Sequence, residues 1–334
     1  MSKQNKDIYI SLMNRIAFAM LVNQGLLLIL SKGLEVLKNS ILRGGDETEI
    51  IDAIFLSGEC VAYFLAFVLP VILFNKMNKY SPKEIYEPRE YEKKSSAYAI
   101  VLLGMGLAGT LCSSFINHVF INSIINYSEF SSQVFWNVEL NKPYQIAFYV
   151  VSYAVIPALV EEILFRGTVC RVLCVYGKGT AVVISAVLFA LMHTNIEQLL
   201  YTFVAGLFFG WLYVETKSVI FPILMHFLNN FISVMGEILY QNSAPTVYEA
   251  YNSLADIVIL IIGLICCVVF LLFVKQGKIV FKKGIEMKPD ENGNEAFPLT
   301  VGERASGFLS IGMLLFVAYC VGIMSYFIYL SVVL

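Results

Sequence analysis

Hydrophobic residues occur along the chain in long, continuous runs that polar connectors separate. A membrane-spanning helix needs about 20 consecutive apolar residues, and most of these runs approach or exceed that length. The runs cover residues 8–31, 50–74, 96–123, 144–165, 180–194, 198–215, 218–240, 253–274 and 307–333. Because apolar residues follow one another without alternation, the pattern predicts membrane helices and not the strands of a barrel.

Positive charge is concentrated in the two longest connectors, residues 75–95 and 275–306, each with five lysines and one arginine. Short loops rich in lysine and arginine stay in the cytoplasm. Six runs, an even number, lie between the two connectors, so both fall on the same side. The sequence therefore predicts a multi-pass protein of a bacterial cell membrane with a cytoplasmic N-terminus.

The composition supports a membrane protein. Of 334 residues, 58% are hydrophobic and 14% are charged, and the net charge is −2. Soluble domains carry roughly 25% charged residues, so a soluble globular protein and a disordered chain are both excluded. Without a basic surface the chain has no basis for binding nucleic acid. We predict an all-α polytopic transmembrane bundle of eight or nine spans.

The densest group of polar residues lies at the end of the fourth run, at Glu161, Glu162 and Arg166. Glu162 and Arg166 are four residues apart and share a helix face, with the acid first, which favours an ion pair. Glu161 is turned about 100° away and is free for chemistry. Alternatively, the group caps a helix at the membrane surface, where charges meet water.

The next run brings His193 towards these carboxylates. If the fourth helix continues to Gly177 and turns there, runs four and five form an antiparallel hairpin. His193 then lies opposite about residue 164, one turn from Glu161.

His226 and Asn230 share a face of the seventh run. Pro157 and Pro222 each precede one of the site residues by four positions, and mid-helix prolines kink helices. The alternative for Pro222 is a harmless place in the first turn of its helix.

These side chains could act in two ways. A buried carboxylate beside an imidazole can deprotonate water, while a second imidazole and an amide stabilise an oxyanion. In the other arrangement Glu161, His193 and His226 hold a divalent metal such as zinc. The sequence contains no HExxH helix, no serine elbow at a suitable place and no phosphate-binding Walker loop. The absence of HExxH favours glutamate as the base, with no cofactor required.

The three motifs, Glu161-Glu162-x-x-x-Arg166, Phe189-x-x-x-His193 and His226-x-x-x-Asn230, occur in this order on successive runs. In this the chain resembles the CPBP family of intramembrane proteases. That family contains CAAX prenyl endopeptidases of the Rce1-like type and bacteriocin-processing or immunity proteins, also called the Abi family. The resemblance covers about residues 145–235.

The resemblance implies a helical membrane core with a cavity lined by polar residues, on spans three to eight. It implies that Glu161 and His193 activate water and that His226 and Asn230 form the oxyanion site, with Glu162 and Arg166 as an orienting pair. The expected domains are 1–95, two spans and a basic loop; 96–275, the catalytic core; and 276–334, a loop and the last span.

The resemblance implies an endopeptidase acting on a membrane-anchored or hydrophobic peptide, such as a prenylated protein or a leader peptide, within the lipid bilayer. One alternative is a non-proteolytic immunity or scaffold protein of the same fold. The burial cost of Glu161, His193, His226 and Asn230 favours the enzyme. A transporter predicts internal repeats, and the sequence shows none.

Overall fold

The computed structural model describes residues 3–42, 48–78, 94–125, 139–277 and 300–333. Over these ranges the chain forms ten helices and no strands, which confirms the predicted all-α class. They are α1 (Lys3–Leu42), α2 (Glu49–Asn78), α3 (Lys94–Ile125), α4 (Pro143–Tyr176), α5 (Lys178–Met192), α6 (Ile196–Thr216), α7 (Ile220–Asn242), α8 (Pro245–Lys275), α9 (Val301–Phe308) and α10 (Ile311–Val333).

Eight of these helices are long and apolar enough to cross a membrane, in agreement with the predicted eight or nine spans. The two exceptions are α5, with 15 residues, and α9, with eight. Helix α5 corresponds to the fifth apolar run, so the difference between eight and nine spans comes from this one element.

Helices α4 and α5 form the predicted hairpin. Helix α4 continues beyond Arg166 to Tyr176, and Gly177 then reverses the chain with a φ of 113°, a conformation that favours glycine. The Phe165 and Phe189 rings pack edge-on with centroids 5.2 Å apart. Four residues further from the turn on each helix are Glu161 and His193, so His193 lies closer to the level of Glu161 than the sequence predicted.

The two prolines have different surroundings. Pro157 lies in the interior of α4, directly after a π-helical segment at Val151–Val155, and a second π-helical segment follows at Ile163–Cys170. Such segments often occur at functional sites. Pro222 is the third residue of α7, where no intrahelical hydrogen bond is lost. The kink predicted at Pro222 is therefore wrong, and the harmless alternative applies.

A tight turn joins α5 to α6. Thr194 has a φ of 49°, and the Asn195 side chain accepts a hydrogen bond from Glu197 N–H at the start of α6. The helices then pack closely, since a Cβ on Gly206 would lie 3.0 Å from the Ala186 backbone. This close approach holds the turn, and with it His193, in a fixed position.

Helices α1 and α2 pack against the helices that carry the motifs. Tyr9, Phe67 and Phe74 are buried in the same hydrophobic core as Phe165 and Phe189. By contrast, Gly263 is the only fully buried residue of α8, whose other side chains are half-buried or exposed. The boundaries of the three predicted domains stay predictions.

The bundle has two ends. At one end, called here the Asp52 face, Asp52 accepts a hydrogen bond from Tyr144 (2.9 Å) and lies 3.8 Å from Lys38. Leu140 N–H also donates to Gln241 (3.0 Å) there. This face therefore gathers the end of α1, the starts of α2 and α4 and the end of α7.

The opposite end is called here the Arg15 face. Arg15 donates to Asn78 (2.9 Å), Asn14 accepts from Gly312 N–H (2.8 Å), and Tyr9 packs edge-on against Tyr176. The starts of α1 and α10 and the ends of α2 and α4 meet at this face.

Candidate active site

A buried ion pair forms the base of the site. Arg166 Nη1 lies 2.9 Å from Glu162 Oε1, and both side chains are completely buried. The same oxygen accepts a hydrogen bond from His226 Nδ1, also at 2.9 Å. Arg166 Nη2 donates to the Gly206 carbonyl at 3.1 Å. The predicted Glu162–Arg166 contact is present, and the alternative of an interfacial cap is wrong.

Aromatic rings surround this pair. The Arg166 guanidinium lies 4.6 Å from the Phe189 ring centroid and 5.0 Å from that of Phe209. Phe209 also stacks on the His226 ring at 5.0 Å. The Arg166 cation is attracted to the faces of these rings, which also separate the ion pair from water. The stacked Phe209 ring fixes the plane of His226.

Glu161 faces away from the ion pair. Its Oε1 accepts a hydrogen bond of 2.5 Å from the Tyr63 hydroxyl on α2. Its Oε2 is buried and has no hydrogen-bond partner in the described part of the chain. A carboxylate oxygen accepts several hydrogen bonds, so this atom keeps an unused capacity to accept one.

His193 caps the C-terminal end of α5, beside the tight turn at Thr194. Its Nδ1 lies 2.8 Å from the Phe189 carbonyl. A carbonyl can only accept, so Nδ1 carries the proton, and Nε2 of the neutral ring is left with a lone pair. No hydrogen bond joins His193 to Glu161 in the described structure, whereas His226 is bonded directly to Glu162.

Asn230 is tied to α4 through a backbone atom that Pro157 leaves without its helical partner. Proline lacks the N–H that would reach the carbonyl four residues earlier, which belongs to Tyr153. Asn230 Nδ2 donates to that carbonyl at 3.0 Å. One amide hydrogen is therefore engaged, while the other is available to a ligand.

One cavity of about 1920 Å³ connects the four residues predicted to do the chemistry. Glu161, His193, His226 and Asn230 all line it. Glu162 and Arg166 do not line the cavity and lie behind His226. The sequence motifs thus divide into groups that face the cavity and groups that support them.

This geometry was compared with known families. Residues 143–232 match the family model described as type II CAAX prenyl endopeptidase, Rce1-like. This segment begins with α4, ends within α7 and holds all three motifs. Residues 143–232 form an Rce1-like domain. No curated protein and no solved structure matches the chain.

The Rce1-like domain does not build the site alone. Tyr63, which holds Glu161, lies on α2, 98 residues earlier in the chain. Gln24 on α1 and Tyr319 on α10 also line the cavity. Helices outside the domain therefore contribute both a wall and a hydrogen bond to it.

Sequence reasoning missed Tyr63. It lies in an apolar run, and no spacing relates it to the motifs on α4, because the contact is between distant helices. The available signal was a tyrosine hydroxyl inside a membrane span, which needs a partner when it is buried.

The alternative in which Glu161, His193 and His226 hold a divalent metal stays a prediction. In the described ranges, no three His, Cys, Asp or Glu side chains come together in a group that could hold a metal ion. Arg166 balances the negative charge of Glu162, which bonds His226.

Proposed function

We propose that this protein is an intramembrane endopeptidase that hydrolyses a peptide bond with water activated by Glu161 and His193. The substrate is a membrane-anchored or hydrophobic peptide, such as a prenylated protein or a leader peptide. The observation that carries the proposal is the buried Glu161 Oε2, which has no partner and shares the cavity of an Rce1-like domain with His193.

Water is the nucleophile in this mechanism. It donates one hydrogen bond to the Glu161 carboxylate and a second to the lone pair on His193 Nε2. As the water oxygen attacks the carbonyl carbon, its proton passes to Glu161, and the carbonyl becomes an oxyanion. When the C–N bond breaks, Glu161 returns that proton to the leaving amine, so the carboxylate is regenerated.

His226 and Asn230 stabilise the oxyanion. Since His226 Nδ1 faces a carboxylate oxygen, Nδ1 carries a proton, and Nε2 can donate to the oxyanion only when the ring is the imidazolium. Glu162 supports that cation, and Arg166 balances the Glu162 charge. The second amide hydrogen of Asn230 supplies another donor. One such donor is worth about 3 kcal/mol in the transition state.

The direct test is cleavage of a fluorogenic, lipid-modified peptide by the purified chain in detergent. We expect Glu161→Gln and His193→Ala to lose roughly 10²-fold or more, the usual contribution of a general base. Glu215→Gln is the matched control, since Glu215 is an exposed carboxylate that does not line the cavity. Each variant is measured with and without a chelator.

The outcomes are distinct. Cleavage that is lost in both site variants but survives the chelator supports the proposal. Cleavage that is lost with chelator and restored by zinc replaces it with a metal mechanism. If the folded wild type cleaves no prenylated or leader-type peptide, the proposal fails in favour of a non-proteolytic scaffold or immunity protein.

A further inference from the structure

The cavity occupies one half of the bundle. On five of the helices that line it, the lining residues fall within 24–34 of α1, 56–67 of α2, 148–161 of α4, 226–241 of α7 and 248–259 of α8. These are the halves of the helices that end at the Asp52 face. Glu161 lies at the inner limit of the α4 range, so the cavity leads from the Asp52 face down to the reactive carboxylate.

Apart from the two histidines, the charged side chains described in the lining of the cavity are all acidic. Five carboxylates line it, and no lysine or arginine does so among the described residues. The carboxylates are Glu59, Glu139, Glu161, Glu237 and Asp256. Such a cavity, with low-dielectric walls, concentrates field lines and attracts cations.

The cations described at the Asp52 face are each beside a carboxylate already. The paired residues are Lys32 with Glu35 (2.6 Å), Lys38 with Asp52 (3.8 Å) and Lys142 with Glu49 (2.8 Å). These lysines therefore balance carboxylates that do not line the cavity. Glu237 and Asp256 line the cavity, and no ion pair to a lysine or arginine is described for either.

The side of the membrane follows from the connectors. Helix α2 ends at the Arg15 face, so the basic segment 79–93 begins there. Helix α8 starts beside the end of α7 at the Asp52 face and runs to Lys275 at the other end, where the second basic segment begins. Basic loops of this length remain in the cytoplasm, which makes the Arg15 face cytoplasmic.

We propose that the site receives its peptide from the non-cytoplasmic side and prefers a segment that carries lysine or arginine among apolar residues. The reaction rests on the function proposed above, but the side of entry and the charge preference are properties of the cavity itself. Glu161 Oε2, buried and without a partner, marks where such a segment ends its path.

The side of entry is tested with cysteines at two connectors. Ala244→Cys is at the Asp52 face and Lys217→Cys is at the Arg15 face, and both positions are exposed. Each is placed in a chain whose seven native cysteines are replaced by serine or alanine. In intact bacterial cells a membrane-impermeant maleimide should label Ala244→Cys alone, and after permeabilisation it should label both. Labelling of only Lys217→Cys in intact cells overturns the proposal.

The charge preference is tested by binding, independently of cleavage. The probe is a fluorescent apolar peptide with three lysines, compared with the same peptide carrying three glutamates. The full chain bearing Glu161→Gln, in nanodiscs of zwitterionic lipid, should bind the lysine peptide at least tenfold more tightly at low salt. The difference should shrink as salt screens the charges.

Matched variants locate the effect. Glu237→Gln and Asp256→Asn should each reduce the preference by about threefold, as for a partly exposed charge pair. Glu249→Gln should leave it unchanged, because Glu249 is exposed at the same face and does not line the cavity. Equal binding of both peptides, or an equal loss in Glu249→Gln, overturns the proposal. A lysine preference in a chain that cleaves nothing would leave the cavity inference standing and refute the protease.

Discussion

A single carboxylate oxygen, Glu162 Oε1, holds both Arg166 and His226 at 2.9 Å. Through this oxygen, Glu162 fixes the position of His226 and balances the charge of Arg166, and all three side chains are fully or almost fully buried. Removal of the cation would leave this carboxylate uncompensated in an apolar environment.

Arg166→Met should therefore destabilise the fold by about 3–5 kcal/mol, the usual cost of breaking a buried pair. The double variant Glu162→Gln/Arg166→Met should be less destabilised than the single one, because no unpaired ion remains. Thermal unfolding in detergent measures both. Additive effects of the two substitutions would show that the ions contribute separately.

Tyr63→Phe should slow hydrolysis without unfolding the chain. A hydrogen bond to a charged group is worth about 1.5–3 kcal/mol, so a loss of roughly tenfold in kcat/KM is expected. The measurement is kcat/KM beside the thermal midpoint in detergent. An unchanged kcat/KM, or a loss that comes with a lowered thermal midpoint, would assign Tyr63 a packing role only.

The faces that residues share within one helix could be predicted from the sequence, and the contacts between distant helices could not. The helical period placed Glu162 and Arg166 on one face and turned Glu161 away, as the structure has it. The bond from His226 to Glu162 and the bond from Tyr63 to Glu161 depend on how α2, α4 and α7 pack. No spacing along the chain carries that information.

Among the elements, α4 deviates most from a regular helix. Its π-helical segment and Pro157 leave the Tyr153 carbonyl to Asn230, so the irregular backbone fixes a side chain of another helix. The sequence predicted that Pro157 matters but treated Pro222 as its equal. Their difference depends on where α7 begins, and helix ends are the least certain feature of a sequence pattern.

The two prolines offer a matched test. Pro157→Ala restores an N–H that competes with Asn230 for the Tyr153 carbonyl, so kcat should fall severalfold while the thermal midpoint is kept. Pro222→Ala should change the stability by at most about 1 kcal/mol and leave kcat unchanged. Equal losses of kcat in both variants would mean that the proline rings matter only through packing.

At the scale of the whole molecule, small residues set the distances between layers. A side chain at Gly263 of α8 would overlap Ala108 of α3, whereas nothing lies within 4 Å of a Cβ on Gly322 of α10. Gly263 is the only fully buried residue of α8, so this contact limits how closely one wall of the cavity packs against α3.

Gly263→Leu should therefore destabilise the bundle by about 1–3 kcal/mol through overpacking. Gly322→Leu, also a substitution in an apolar helix, should leave the thermal midpoint unchanged. If the two variants unfold at the same temperature, the α3–α8 contact is looser than the structure describes.

The number and order of membrane helices could be read from the runs, because apolar length is a direct requirement of the bilayer. The resemblance implied a polar cavity but not its extent, since the cavity results from the second halves of some helices meeting the first halves of others. The acidic residues that line it, such as Glu237 and Asp256, are single and unremarkable in sequence. The structure shows that these carboxylates line the same cavity and therefore act together on a charged ligand.

The bond between Tyr63 and Glu161 has a consequence for how such proteins diversify. All three motifs could remain identical in two chains while position 63 varies, because that position lies outside the Rce1-like domain. Exchange of tyrosine for another residue would remove the hydrogen bond that holds Glu161 and leave every motif unchanged. Two such chains would then differ in their rate of hydrolysis through one substitution in a helix that motif comparison does not read.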